Sequence, residues 1–516
     1  MEKLRLFDFS QERVRTLHYT WFAFFITFYL WFNMAPLATT MLSDIAWLTT
    51  EHLKVLAICN VALTIPARII VGALIDKYGP RVVFSGLMIV MSMPVFFFAF
   101  GDTFMQLLIA RLLLGTIGAG FVIGIKMTAI WFPKEMIGRA EGFYAGWGNF
   151  GSAWAAMTLP WFAITVCQNW LGLGEDGWRY AIAVNGLVSL IYGIAYYFLV
   201  RDQPPGKEIK FAEKTEPMKV SSYGDLVQYI VWSFPLVGAM GLLVWRLADI
   251  EVDGAPLLSE NTTYIIYGAL ALFYVLHVIK LLQTNLPDLK AGIPEEKKYS
   301  WSSVAALNST YFANFGAELA VVSMLPMFFE TVFKGLSDSA GNPIMTATLA
   351  GLVAASFAVV NLIARPLGGY FSDKMKNRKR TMLIYMVGIT IGFFLMALIG
   401  KYGPVDEAGI QTIVPMFDGI WWLVVAVIIT ITCSMFVQGA EGATFAIIPM
   451  IKRGMTGQIA GMAGAYGNVG AVVYLVIYSL VDDKTFFFII AGGAAVSFLY
   501  CLIFLKEPEA SFKDEY

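Results

Sequence analysis

RIIVGALIDK, from Arg68 to Lys77, and RPLGGYFSDK, from Arg365 to Lys374, are the two stretches that decide the fold. They match at Arg, Gly, Asp and Lys with identical spacing: Arg68, Gly72, Asp76 and Lys77 against Arg365, Gly369, Asp373 and Lys374. Two more pairs follow in the same order. GTIGAGF, ending at Phe121, matches GAEGATF, ending at Phe445, and AGWGNFG around Asn149 matches GAYGNVG around Asn468. Three ordered coincidences indicate an internal duplication. The copies share one orientation, so they are related by a pseudo-two-fold axis along the normal of whatever layer they span.

That layer is a bilayer. Of the 516 residues, 58% are hydrophobic and only 14% charged, against about 45–50% apolar for a soluble domain. Lipid-facing surface must be as apolar as a core, and a hydrocarbon layer of ~30 Å needs ~20 apolar residues in a helix. Segments of that length are predicted at 17–39, 52–76, 81–100, 103–131, 139–166 and 178–200, then at 223–245 and 262–283. Six more follow at 301–333, 345–372, 381–400, 418–450, 455–481 and 484–505. The polar stretches RDQPPGKEIKFAEKTEPMK (Arg201–Lys219) and NLPDLKAGIPEEKKYS (Asn285–Ser300) read as linkers. The predicted architecture is an all-α integral membrane protein of fourteen helices. Residues 1–200 form an N-terminal six-helix bundle, 201–300 the cytoplasmic linkers with two inserted transmembrane helices, and 301–516 a C-terminal six-helix bundle. The first apolar run follows a charged N-terminus and has no small-residue cleavage site, so it reads as a retained helix and not a removed signal peptide.

Lys and Arg collect in alternate connections. DKYGPR, SDKMKNRKR and IKRG are basic, whereas GDT, GLGEDG, KYGPVDEAG, VDDK and ADIEVDGAPLLSENTT are acidic or poor in basic residues. The positive-inside tendency then predicts both termini and the linkers on the cytoplasmic side of the cell (plasma or inner) membrane. A net charge of −1 gives no electrostatic basis for binding nucleic acid. Cys59, Cys167, Cys433 and Cys501 lie in or beside apolar runs without metal spacing, and His18, His52 and His277 are scattered. No metal site, cofactor site or catalytic nucleophile is predicted, so an enzyme is not expected.

Arg68 lies eight residues before Asp76 at the polar end of its helix, roughly 12 Å deep at ~1.5 Å per residue, and Arg365 lies at the same depth in the second copy. An Arg near the bilayer centre costs at least ~2.5 kcal/mol on insertion scales, so both should face a cavity. Two inward arginines make a positive site on the axis, and the planar guanidinium fork suits flat oxyanions. The alternative is that each Arg locks helices by pairing with an acid, for which Glu318 and Glu441 are available. The arginines are placed symmetrically and the acids are not, which favours an anionic cargo. Asn149 and Asn468 need partners in hydrocarbon and can donate to an anion oxygen. Asp76, Arg81 and Asp373, at helix ends, are expected to form charge networks that hold one face shut. Lys126, Glu318 and Glu441 are ionisable at membrane depth, which marks either proton routes or mutual pairing.

AGWGNFGSA and GAYGNVGAV, the paired arginines, YFANFGAELAVVSMLP from Tyr311 and GAGFVIGIKMTAIWFP from Gly118 together resemble the nitrate/nitrite porters of the major facilitator superfamily, over both six-helix units. The resemblance implies a major facilitator fold that moves nitrate or nitrite by alternating access. It implies that Arg68 and Arg365 clasp the anion, that Tyr311 gives its hydroxyl and Asn149 its amide, and that Phe121 and Phe315 sandwich the flat ion. Relatives are expected to have twelve helices, so the pair near 223–283 is a departure. They divide into nitrate–proton symporters and nitrate/nitrite exchangers; Glu318, Glu441 and Lys126 keep symport open. Other readings are a facilitator for another small anion such as a carboxylate, or an anion-binding membrane sensor, which the short linkers and termini disfavour. A monomer in the bilayer is expected.

Overall fold

Apolar length dictates most of the architecture. In this computed structural model, residues 5–508 are described apart from 207–217, 253, 296–297, 339, 406–410 and 453–454. Among them, fourteen helices are long and apolar enough to cross a membrane. They are α1 (Glu12–Asp44), α2 (Thr50–Tyr78), α3 (Pro80–Ala99), α4 (Phe104–Trp131), α5 (Arg139–Trp170), α6 (Gly174–Leu199), α7 (Tyr223–Ala248), α8 (Glu260–Ala291), α9 (Trp301–Val332), α10 (Ala347–Ser372), α11 (Arg378–Ala397), α12 (Ile420–Ile451), α13 (Gly457–Tyr478) and α14 (Asp483–Phe504). The chain is a multi-pass membrane protein of two six-helix bundles with α7 and α8 inserted between them. A hairpin of β1 (Gly400–Val405) and β2 (Gln411–Pro415) joins α11 to α12. No sequence signal anticipated it.

The repeats pack across two seams. In one, α5 lies against α10; in the other, α2 lies against α13. Exposed apolar side chains such as Ile69, Met93, Phe198, Phe273 and Ile503 face outward, as lipid contact requires. Trp31, Trp178 and Trp301 fill the interior.

Several spans are broken midway, and the breaks position the site. α2 is interrupted at Leu63 and α10 at Val360, each five residues ahead of the repeat arginine. α9 breaks at Asn314, whose side-chain oxygen accepts from the Phe315 N–H at 2.5 Å. α4 passes through a tighter turn at Gly115–Ala119, just before Phe121. In α2 the cause is local: Pro66 has no N–H to give the Ala62 carbonyl. In α9 the Asn side chain competes with the backbone for an N–H. Irregular backbone at membrane depth is tolerated where it lines a protein interior, and all four breaks lie beside the same interior.

Candidate functional site

Symmetry locates the site. Phe121 and Phe445 are equivalent positions of the two repeats, and their rings lie 5.7 Å apart. Equivalent residues in contact must sit at the pseudo-axis. Around this pair, Phe445 meets Tyr311 edge-on at 5.3 Å, and Tyr311 stacks on Phe315 at 5.1 Å. The Arg68 guanidinium lies 5.4 Å from the Phe121 ring and 5.9 Å from the Phe315 ring. Arg365 approaches the same Phe315 ring at 5.6 Å. The structure therefore brings both arginines to one aromatic side chain at the axis.

Burial of this group is nearly complete. Arg68 and Arg365 are 6% and 4% exposed, and Tyr311, Phe315, Asn149 and Asn468 are buried with them. The two arginines differ in their partners. Arg365 Nη2 donates to the Tyr311 hydroxyl at 3.0 Å and lies 2.5 Å from Glu441 Oε2 in an ion pair. Arg365 Nη1 has no hydrogen-bond partner among the described residues, so the contact with Glu441 is a charge pair rather than a bidentate fork. Arg68 Nε and Nη1 have no hydrogen-bond partner among the described residues, and neither have Arg365 Nη1 or Asn149 Nδ2. A buried donor left unmet costs ~1–3 kcal/mol, more when charged. The three guanidinium donors lie around one aromatic cluster and form a set that an anion's oxygens would satisfy, and the Asn149 amide is a fourth buried donor, on α5. Asn468 Nδ2 instead donates to the Gly464 carbonyl at 3.2 Å, and its oxygen has no partner among the described residues.

The ionisable candidates separate into two groups. Glu318 and Glu441 are buried beside Arg365, and Glu318 accepts from Asn361 Nδ2 at 2.5 Å. Lys126 is placed elsewhere, in a 3.1 Å ion pair with Asp76, both partly exposed. Arg81 pairs with Asp202 rather than Asp76: its backbone N–H donates to Asp202 at 2.8 Å and its guanidinium lies 3.5 Å from the same carboxylate. Burial raises the Asp202 carboxyl above its ordinary value, opposed by the Arg81 N–H and guanidinium. The Asp373 side chain lies outside the described residues.

Three residues of the site were missed in the sequence. Phe445 closes the second repeat motif, and its equivalence with Phe121 was a usable signal. Asn361 lies one turn ahead of Arg365, a polar residue in an apolar run. Tyr144 gave no signal. It stacks on Phe24 at 4.8 Å and donates to the Gly120 carbonyl at 2.9 Å, which buttresses the turn carrying Phe121.

One prediction arises from the Arg68 surroundings. A Cβ at Gly464 would lie 2.6 Å from Arg68 Nη1, the movable tip of a long side chain. Gly464→Ala is expected to fold normally but to swing the guanidinium away. Losing one charge-assisted hydrogen bond, ~1.5 kcal/mol, raises KM for uptake about tenfold. Uptake kinetics with expression level as control check it.

Duplicated helical bundles with a buried cationic cluster on their shared axis define the architecture of a secondary transporter. The family model of the Major Facilitator Superfamily matches residues 20–400 and 307–516. The nitrate/nitrite transporter NrtP of Nostoc punctiforme is 42% identical over 99% of this chain and 96% of that protein. The nitrate/nitrite transporter NrtP of a Picosynechococcus species is 41% identical over 97% and 94%. Among solved structures, the inward-open xylose transporter XylE from E. coli superposes with a TM-score of 0.59 at 13% identity, covering 96% of each chain, a likeness of fold alone. The chain belongs to the Major Facilitator Superfamily and, within it, to the family of these NrtP transporters.

Proposed function

We propose that this protein carries nitrate, nitrite or both across the cell membrane by alternating access, coupled to protons. The observation that carries the cargo is the set of buried guanidinium donors of Arg68 and Arg365 beside the axis that have no partner among the described residues, with the Asn149 amide as a further such donor on α5. A flat monovalent oxyanion fits them: it meets several N–H groups in one plane, lies against Phe121 and Phe315, and needs no deeper cavity. The two NrtP relatives, named as nitrate/nitrite transporters, support the same anion. The moving units are taken as residues 1–200 and 301–516, with 201–300 between them. Both termini are assigned to the cytoplasm by the basic connections DKYGPR and SDKMKNRKR. One chain supplies every charge of the site, which supports a monomer as the transporting unit.

The proton reading rests on Glu441. Its carboxylate and the anion compete for Arg365, since Arg365 Nη2 already lies 2.5 Å from Glu441 Oε2. Protonating Glu441 removes that competitor and frees the guanidinium, so anion and proton are favoured together. Glu318 and Asn361 supply the adjoining polar groups.

Proteoliposome uptake tests both parts. Nitrate uptake is expected without internal nitrite and to accelerate several-fold with an acidic exterior. In Glu441→Gln, the pH gradient is expected to stop driving accumulation while nitrate counterflow continues. Uptake that ignores the gradient and needs internal nitrite would replace symport with exchange. Uptake of formate in preference to nitrate would overturn the cargo.

A further inference from the structure

The inserted helix α7 lies along one of the two seams between the repeats. It packs on α2 from the first repeat and on α9 and α13 from the second. Its attachments to the two sides differ. Toward the second repeat they run along the helix: Tyr229 stacks on Trp301 at 5.3 Å, and the Tyr466 hydroxyl donates to the Trp232 carbonyl. At its far end stands Arg246, 2% exposed. Its Nε donates to Ser479 Oγ at 2.9 Å, just past α13, and its Nη1 to Asp249 Oδ2 at 2.9 Å. Its Nη2 reaches across to Glu51 Oε1 at 2.6 Å, in the first turn of α2. One guanidinium fork thus ties the insert to both repeats.

The same face, opposite the start of α1 and the end of α14, carries two other cross-links between the repeats. Lys54, one turn beyond Glu51, donates to the carbonyls of Tyr478 at 3.0 Å and Val481 at 3.3 Å. Thr39 Oγ1 on α1 donates to Glu330 Oε2 on α9 at 2.7 Å.

We infer that α7 is a strap fixed to the second repeat, and that Arg246, through Glu51, is a positioning residue that holds this face shut. When the face opens, α7 keeps its stacking and its bonds to α9 and α13, and the Arg246–Glu51 link breaks. The strength of that link sets the balance between the two access states. This gives the inserted helix α7 a part in the transport cycle; the inference rests on alternating access and is independent of which anion is carried.

A labelling experiment on the full-length protein tests it. The four native cysteines are buried, so a cysteine placed at Thr39, half-buried on the interface, reports opening by its rate of maleimide labelling. Against that parent, Glu51→Gln and Arg246→Lys are expected to label about fivefold faster, and Glu51→Asp to return toward the parent rate. Asp249→Asn removes a partner at the end of the insert's own helix, one residue past α7, and spans no seam, so it is expected to label at the parent rate. Glu51 is 59% exposed in its side chain, so Glu51→Gln tests the link even if Arg246→Lys folds poorly. The inference is overturned if Glu51→Gln labels at the parent rate. It is equally overturned if Asp249→Asn accelerates labelling as much as Glu51→Gln, since that marks general loosening. No substrate is present, so failure of the nitrate assignment leaves the labelling result untouched.

Discussion

Arg68→Lys is expected to lower nitrate uptake by at least about 100-fold while leaving the protein folded. Lysine keeps the charge but not the fork, and one ammonium cannot meet two oxygens in the plane of a flat ion. Two charge-assisted hydrogen bonds at ~1.5 kcal/mol each amount to ~3 kcal/mol, and every 1.4 kcal/mol is tenfold. Arg68 is the cleaner of the two arginines to change. Its Nε and Nη1 hold nothing among the described residues, whereas Arg365 also holds Tyr311 and Glu441. The checks are initial uptake rate in proteoliposomes and thermal midpoint of the purified protein. A variant that melts near the wild-type temperature and does not transport is the expected outcome.

The second large effect is on assembly. A Cβ at Gly442 on α12 would run into the backbone carbonyl of Arg365 on α10, so the two helices cross there with no room for a methyl group. Backbone cannot swing aside as a side-chain tip does. Gly442→Ala is expected to destabilise by ~1–3 kcal/mol or to shift α10. Either outcome moves Arg365 off the axis and removes most transport. Gly461, on α13, has no neighbouring atom within 4 Å of such a Cβ. Gly461→Ala is the control, expected neutral or slightly stabilising because Ala favours helix. Thermal melts and uptake of both variants decide it.

Much of this molecule could be read before any coordinates, for a reason particular to membranes. Apolar length, not packing, decides how many helices form, so fourteen spans and the duplication were legible. Ends were less so: the helix expected at 262–283 runs from Glu260 to Ala291, because its polar continuation past Gln283 stays helical outside the apolar stretch. The breaks at Asn314 and Val360 were not legible, since hydropathy does not report backbone direction.

Pairing was the other limit. The sequence offered Glu318 and Glu441 equally to the arginines. The close crossing of α10 and α12 at Gly442 sets Glu441, one residue earlier, against Arg365, and leaves Glu318 to Asn361. Lys126 was grouped with those acids by depth alone. The face of α4 that carries it turns toward Asp76 on α2, a choice that depends on helix rotation and not on spacing.

Nitrate binding to the purified protein, followed by calorimetry in a double-mutant cycle of Arg68→Lys, Arg365→Lys and the pair together, tests the joint site most directly. If one ion is held by both guanidinium groups, each single change removes most of the affinity and the double change little more. Independent, additive losses, or full affinity in either single variant, would contradict a site shared between the two repeats.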